Sequence, residues 1–229
     1  MLLSVITLFP NIFHSVFSDS ITKRTQDLKK AELRFIDLRN FGLGSHKTVD
    51  DKPYGGGVGM LLRVDVVDRA IQSARQENHT EKVILLDPKG KTYNQEMAVS
   101  YSQLDHLILV CGHYEGIDAR VSGLVDYEVS IGDYVLSGGE ISAIVIIDSI
   151  LRLIPGALKH SEATELESFS TVEGQVLLEC PQYTRPEIYK GNHVPRVLLE
   201  GNHSKIGKFR KQEAEKITKL RRPDLINRN

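Results

Sequence analysis

The sequence predicts an α/β fold: a mostly parallel sheet covered on both faces, with a small helical domain after it. Three observations lead there. Short apolar runs alternate with stretches of helical character as far as Leu153, the chain turns polar and aperiodic after Gly156, and an amphipathic basic pattern sets in beyond Val194. Strands that alternate with helices favour parallel pairing, because each crossover helix packs back onto the sheet. The division that follows is an α/β domain over residues 1–158, a linker over 159–173 and a helical domain over 174–229.

In chain order, Leu2–Leu8 is an apolar run closed off by Pro10 and reads as a buried strand. Asn11–Ser18 follows that proline and reads as a helix. Phe35–Leu38 is a weaker strand signal. Val64–Arg75 is helical after a glycine loop, Val83–Leu86 is a strand, and Asn94 is placed to cap a helix reaching Ser102. Leu107–Val110 is a further strand, and Ile141–Leu153 is a longer apolar helix that stops before Pro155-Gly156. Lys159–Glu173 has the texture of a mobile linker. With Ile206 as origin and about 100° per residue, Phe209, Ile217 and Leu220 fall near one side of a helix. Lys208, Lys211, Lys219 and Arg222 fall mostly on the other, a basic outer face.

Composition narrows the class. With 41% hydrophobic and 26% charged residues over 229 positions, the chain is neither disordered nor fibrous and can bury a real core. Cys111 and Cys180 lie far apart with no CxxC, and the eight histidines show no HExxH spacing. No metal site is assigned on this basis, and a reducing cytoplasm fits best. The apolar start lacks a basic n-region, and no run is long enough to span a membrane. Net charge is −1 but unevenly placed: from Arg185 onward there are 12 Lys/Arg against 5 Asp/Glu, and before it 17 against 25. An acidic body with a basic tail suits either a polyanion held by one end or a solvated basic helix.

Several glycine-punctuated loops follow apolar runs, the places where parallel sheets bind ligands. Tyr54-Gly55-Gly56-Gly57-Val58-Gly59-Met60 lacks both the Gly-Lys-Ser/Thr ending of a P-loop and the GxGxxG register, so it reads as a pocket-lining or phosphate-touching loop, or a plain turn. In Gly112–Gly116, Tyr114 can stack on a ring, Glu115 can accept a hydrogen bond, and Asp118 beyond it can cap the next helix. Ser130–Gly139 offers main-chain polar groups between Ile131, Tyr134 and Leu136, and Leu86–Gly90 supplies another strand-end loop. Apolar walls with backbone polar groups suit an adenine edge.

Five segments taken together are specific. Tyr-Gly-Gly-Gly-Val-Gly-Met (54–60), Gly-His-Tyr-Glu-Gly-Ile-Asp (112–118), Ser-Ile-Gly-Asp-Tyr-Val-Leu-Ser-Gly-Gly-Glu (130–140), Pro-Gln-Tyr-Thr-Arg-Pro (181–186) and Leu-Arg-Arg-Pro-Asp-Leu (220–225) occur in this order. Over essentially its whole length the chain resembles the TrmD family of bacterial tRNA (guanine-N1)-methyltransferases, of the SPOUT superfamily. The resemblance implies a trefoil knot in the carboxy half of the first domain, a threading that is rare among folds. It implies transfer of a methyl group from S-adenosylmethionine to N1 of guanosine 37 of tRNA, by a homodimer whose active site is shared between subunits. By match, the cofactor would lie on Leu86 and Pro88, on Gly112, Tyr114, Glu115 and Gly116, and on Ile131, Gly132, Asp133, Tyr134, Val135, Leu136, Gly138 and Gly139. Magnesium is compatible with the resemblance, since tRNA carries it, but no protein cage for it is evident.

N1 of guanine carries a proton at neutral pH, so its methylation calls for a base, and for a cation to hold the charge growing on O6. By match the cation is Arg152, which otherwise reads as a charge complementing a helix carboxyl end. Where the family has an aspartate before Ser-Phe as the candidate base, this chain has Glu167, before Ser168-Phe169. The added methylene moves the carboxylate by about 1 Å, a misplacement that can cost ~100-fold unless the linker adjusts. Glu165 is the local rival, and a solvated linker carboxylate is the plainer reading. His113 stands where many members carry arginine, and keeps hydrogen bonding and stacking without the fixed charge. Tyr183 and Arg185 would contact RNA or brace the domain interface. Lys208, Lys211, Lys219 and Arg222 would meet phosphates. The rival readings are a SPOUT enzyme acting on another RNA nucleotide and a catalytically silent RNA-binding relative.

Overall fold

The computed structural model describes residues 1–76, 79–158, 164 and 167–226. The chain divides into two compact units, Met1–Lys159 and His160–Asn229. In the first, five parallel strands, β1 (Leu2–Thr7), β2 (Glu32–Asp37), β5 (Glu81–Thr92), β6 (His106–Cys111) and β7 (Tyr127–Ser130), form a sheet in the order β2-β1-β6-β5-β7. A small antiparallel pair, β3 (Asp50–Asp51) and β4 (Leu61–Leu62), stands apart from it.

Side chains one residue apart on these strands point to opposite faces, and the core divides accordingly. Leu3, Val5, Ile84, Leu86, Leu107 and Leu109 pack on one face with Phe13 and Phe17 of α1 (Asn11–Phe17), Tyr101 of α4 (Gln95–Ser102) and the apolar side of α5 (Glu140–Leu151). Ile6, Val83, Leu85, Ile108 and Val110 pack on the other with Val66, Val67, Ala70 and Ile71 of α3 (Val64–Ala74). Continuous apolar runs are what a sheet buried on both sides requires. The helix boundaries read from sequence hold to within two residues, and Asn94 does cap α4, accepting from Met97 N at 3.0 Å.

Two elements carry no strong sequence signal: helix α2 (Ser20–Asp27) and strand β7, whose Tyr127 and Glu128 interrupt any apolar run. Strand β5 is also longer than its apolar stretch. Leu86 and Lys91 both pair with Val129, so Asp87–Gly90 loops out between them. A Cβ on Gly90 would lie 2.3 Å from Val129 N, so only glycine lets the returning strand close on β7.

The second unit has two antiparallel hairpins, β8 (Ser170–Val172) with β9 (Gln175–Leu177) and β10 (Ile188–Tyr189) with β11 (Asn192–His193). Helices α6 (His203–Arg221) and α7 (Pro223–Ile226) follow. The β8–β9 hairpin turns at Glu173-Gly174, where both residues have positive φ. One sequence expectation changes here. Leu220, expected on the buried side of α6, is 79% exposed. The side chain buried there is Thr218, which donates to Ala214 O at 2.6 Å and accepts from Leu178 N at 2.8 Å. A hydroxyl satisfied from two sides can take a buried position that the apolar pattern gives to leucine.

Candidate active site

A cavity of about 370 Å³ opens at the carboxyl ends of β5, β6 and β7. Three segments wall it: the excursion from β5 (Leu86, Asp87, Pro88, Lys89), Gly112–Ile117 after β6, and Val129–Gly132 and Tyr134–Gly139 from the end of β7 onward. Leu61 and Ser142 complete the lining. Of the positions expected to hold a cofactor, only Asp133 is absent from this wall, and it is exposed. Leu61, Ile117, Val129 and Ser142 line it from outside the loops read from sequence.

Main-chain bonds fix the loops to one another. Gly139 N donates to Gly112 O at 2.8 Å, and His113 bridges Gly138 in antiparallel fashion. Glu115 N donates to Met60 O at 3.1 Å and Leu62 N to Gly116 O at 3.0 Å, tying the 54–60 loop to the pocket. A Cβ on Gly139 would sit 2.7 Å from Cys111 Cα, and one on Gly138 would sit 2.4 Å from Glu140 Oε2. These glycines permit close approaches that a Cβ would forbid. Tyr114 holds a left-handed conformation, φ 61°, at the mouth of the site, where such strain accompanies function.

The rim is apolar and open, with Tyr134 54% and Val135 87% exposed. The interior offers amides, carbonyls and the carboxylates of Asp87 and Glu115. Behind the wall lies Cys111, whose thiol is pushed well up by burial, with Glu140 adding to the effect, so it is no nucleophile. Asp118 does cap the short 3-10 helix Ala119–Leu124. The hydrogen bond from Arg120, opposed by slight burial, holds the Asp118 carboxyl down at about 2. The arrangement fits a flat heteroaromatic group read by backbone; among the described residues no group of three His, Cys, Asp or Glu can hold an ion.

Residues 1–228 match the family model described as tRNA (Guanine-1)-methyltransferase TrmD. The chain belongs to this family. Among curated relatives it is similar to the tRNA (guanine-N(1)-)-methyltransferase of Clostridium botulinum (strain Eklund 17B / Type B), 50% identical over 98% of this chain and 92% of the relative. That of Phytoplasma australiense is 48% identical over 99% and 90%. That of Caldanaerobacter subterraneus subsp. tengcongensis is 46% identical over 100% and 92%.

The positions singled out by the TrmD resemblance outside the cavity are distributed between the two units. Arg152 directly follows α5 in the first. Glu167 belongs to the second, where its carbonyl accepts from Ser170 N at 3.1 Å at the start of β8. Its rival Glu165 lies outside the described residues. Tyr183 is 48% exposed, and Arg185 is exposed nearby. On α6, Lys211 is paired with Glu173, and beyond its end Arg222 is paired with Asp224 at 2.7 Å, whereas Lys208 and Lys219 have no ion-pair partner among the described residues. No described helix is long and apolar enough to cross a membrane.

Proposed function

We propose that this TrmD-family chain transfers a methyl group from S-adenosylmethionine to N1 of guanosine 37 of tRNA, in the cytoplasm. The observation that carries the reading is the cavity. Two of its three loops, those after β6 and β7, come from segments that gave the family resemblance, and it is sized for a nucleoside rather than an ion. The residues fit the donor: main-chain polar groups for an adenine edge, Tyr114 for stacking, and Asp87 and Glu115 for its charged and hydroxylated parts. We further assign the trefoil knot to the segment between Leu86 and Gly139, the cofactor-binding domain to 1–158, the linker to 159–173 and the tRNA-binding domain to 174–229.

S-adenosylmethionine supplies a methyl on a sulfonium, which is already reactive, so the chain's work is alignment and proton handling. Glu167 takes the proton from guanine N1, freeing its lone pair for attack. Arg152 holds the charge that grows on O6. The loops after β6 and β7 hold the donor and keep water from the methyl. Arg152 and Glu167 act together across a homodimer, each site being completed by the partner subunit. An apolar stripe supports that assembly: Ile12 and Val16 on α1 and Ile141 and Val145 on α5, helices in contact with each other, are all exposed. Tyr183, Arg185, Lys208, Lys211, Lys219 and Arg222 bear on the tRNA, and magnesium is given no protein site.

Radiolabelled methyl transfer to unmodified tRNA with guanosines at 36 and 37, followed by nucleoside analysis, tests the reading. It predicts 1-methylguanosine, lost when residue 37 is adenosine. A methylated ribose or another base would place the chain with a different RNA target, and binding without transfer would make it a silent relative.

A further inference from the structure

Beneath the cavity lies a carboxylate that the mechanism above does not use. Glu140, in the first turn of α5, is 4% exposed, and its Oε1 accepts from Thr7 Oγ1 at 2.8 Å. Thr7, fully buried at the end of β1, accepts in turn from Phe9 N at 2.9 Å. The other oxygen, Oε2, is turned to the Gly138 backbone, 2.4 Å from where a Cβ would stand. His113 Nδ1 reaches the same spot from the opposite loop, 2.7 Å from that Cβ position. Nδ1 is buried and has no hydrogen-bond partner, and among the described residues it is the only buried side-chain polar atom of which this is true.

An unpaired buried polar atom carries a desolvation cost that a partner would remove. Glu140 Oε2 and His113 Nδ1 crowd one edge of Gly138 without being bonded, and they belong to the two loops whose backbones meet at Gly112–Gly139. The His113 ring is set by its edge contacts with Phe9 at 4.8 Å and Tyr114 at 5.0 Å, so a shift of this ring carries Tyr114 with it. We propose that Glu140 is a positioning residue of the cofactor pocket. Held by Thr7, its carboxylate accepts the Nδ1 hydrogen of His113 when the pocket closes on its ligand, clamping the 112–116 loop to the Gly138-Gly139 turn. This rests on the cofactor reading given above. It predicts that ligand affinity, rather than folding, depends on the pair.

The test is calorimetric titration of the full chain with S-adenosylhomocysteine, for wild type, Glu140→Gln, His113→Phe and the double variant, with thermal melting and the KM for tRNA measured alongside. Glu140→Gln keeps shape and a hydrogen bond to Thr7 but weakens the acceptor, and His113→Phe keeps the ring contacts but removes Nδ1. Each single variant is expected to lose about tenfold in affinity, the loss of one buried hydrogen bond. The double variant should be no weaker than the worse single, with the tRNA KM unchanged and the melting temperature preserved. Additive losses, or wild-type affinity in either single variant, overturn the clamp. Should Glu140→Gln fail to fold, Thr7→Val, which releases the same carboxylate, takes its place, and wild-type affinity there is equally fatal. If wild type itself does not bind, the cofactor reading fails instead, so the two failures are distinct.

Discussion

The two ends of the central sheet handle polar groups in opposite ways. At the amino ends of the strands they are paired within the protein. Ser4 Oγ and buried His106 Nε2 lie 2.9 Å apart, His106 Nδ1 faces Glu81 Oε2 at 3.3 Å, and Glu81 also takes hydrogen bonds from Arg75 and Gln76 N. Thr80 bonds Asp105, and Lys82 and Val83 N both bond Asp126. At the carboxyl ends, loops part around a cavity walled by backbone, and His113 Nδ1 has no partner. Polar groups at the one end are bonded to one another, and those at the other line an open cavity. Stability and binding therefore separate along the strand axis.

The sharpest way to break this separation is to fill the carboxyl end. Gly139→Ala places a Cβ against Cys111 backbone and is expected to weaken S-adenosylhomocysteine binding on the order of 100-fold by overpacking. Gly123→Ala meets nothing within 4 Å and should bind as wild type in the same titration. Next in size, Glu167→Gln should slow single-turnover methylation by about 100-fold with cofactor affinity intact, as for a lost general base; a wild-type rate would remove Glu167 from that role.

At the amino end, His106→Gln should cost about 1–3 kcal/mol of stability in denaturant unfolding and leave cofactor affinity alone. Burial pushes the His106 pKa down, with Glu81 partly opposing. The unfolded chain then binds the proton more readily, so this contribution is complete above the unfolded pKa of about 6.5 and declines as pH falls below it. The Glu81 carboxyl, held down by Gln76 N and Arg75 against the effect of burial, contributes in a separate, more acidic window. Stability of the His106 variant should accordingly fall less than wild type just below pH ~6.5. The smallest effect carries the same contrast to α6. Lys208→Ala or Lys219→Ala should each lower the salt slope of tRNA affinity by about 1. Lys211→Ala should do less, its charge being already paired with Glu173.

The sheet was legible because strands buried on both faces must be apolar throughout, as in Leu107–Val110. Strand β7 was not, since only Val129 and Ser130 of its four residues are buried. The pocket was legible through its glycines, whose close approaches leave a sequence trace. Leu61 and Ser142 were missed as lining residues because they enter through register and helix phase, which composition does not record. The Thr7–Glu140 contact joins residues 133 positions apart, and no local pattern reports such a pair. Thr218 shows the reverse failure, an apolar stripe that misplaces the buried side of a helix. Only its tertiary partner, Leu178 N, explains the exchange.

Amide chemical-shift mapping of the labelled full chain with S-adenosylhomocysteine tests the central claim most directly. The account predicts shifts concentrated at residues 86–89, 112–117 and 129–139, with residues 2–4, 80–83 and 104–107 unmoved. Shifts centred on the amino ends of the strands, or confined to the second unit, would contradict it.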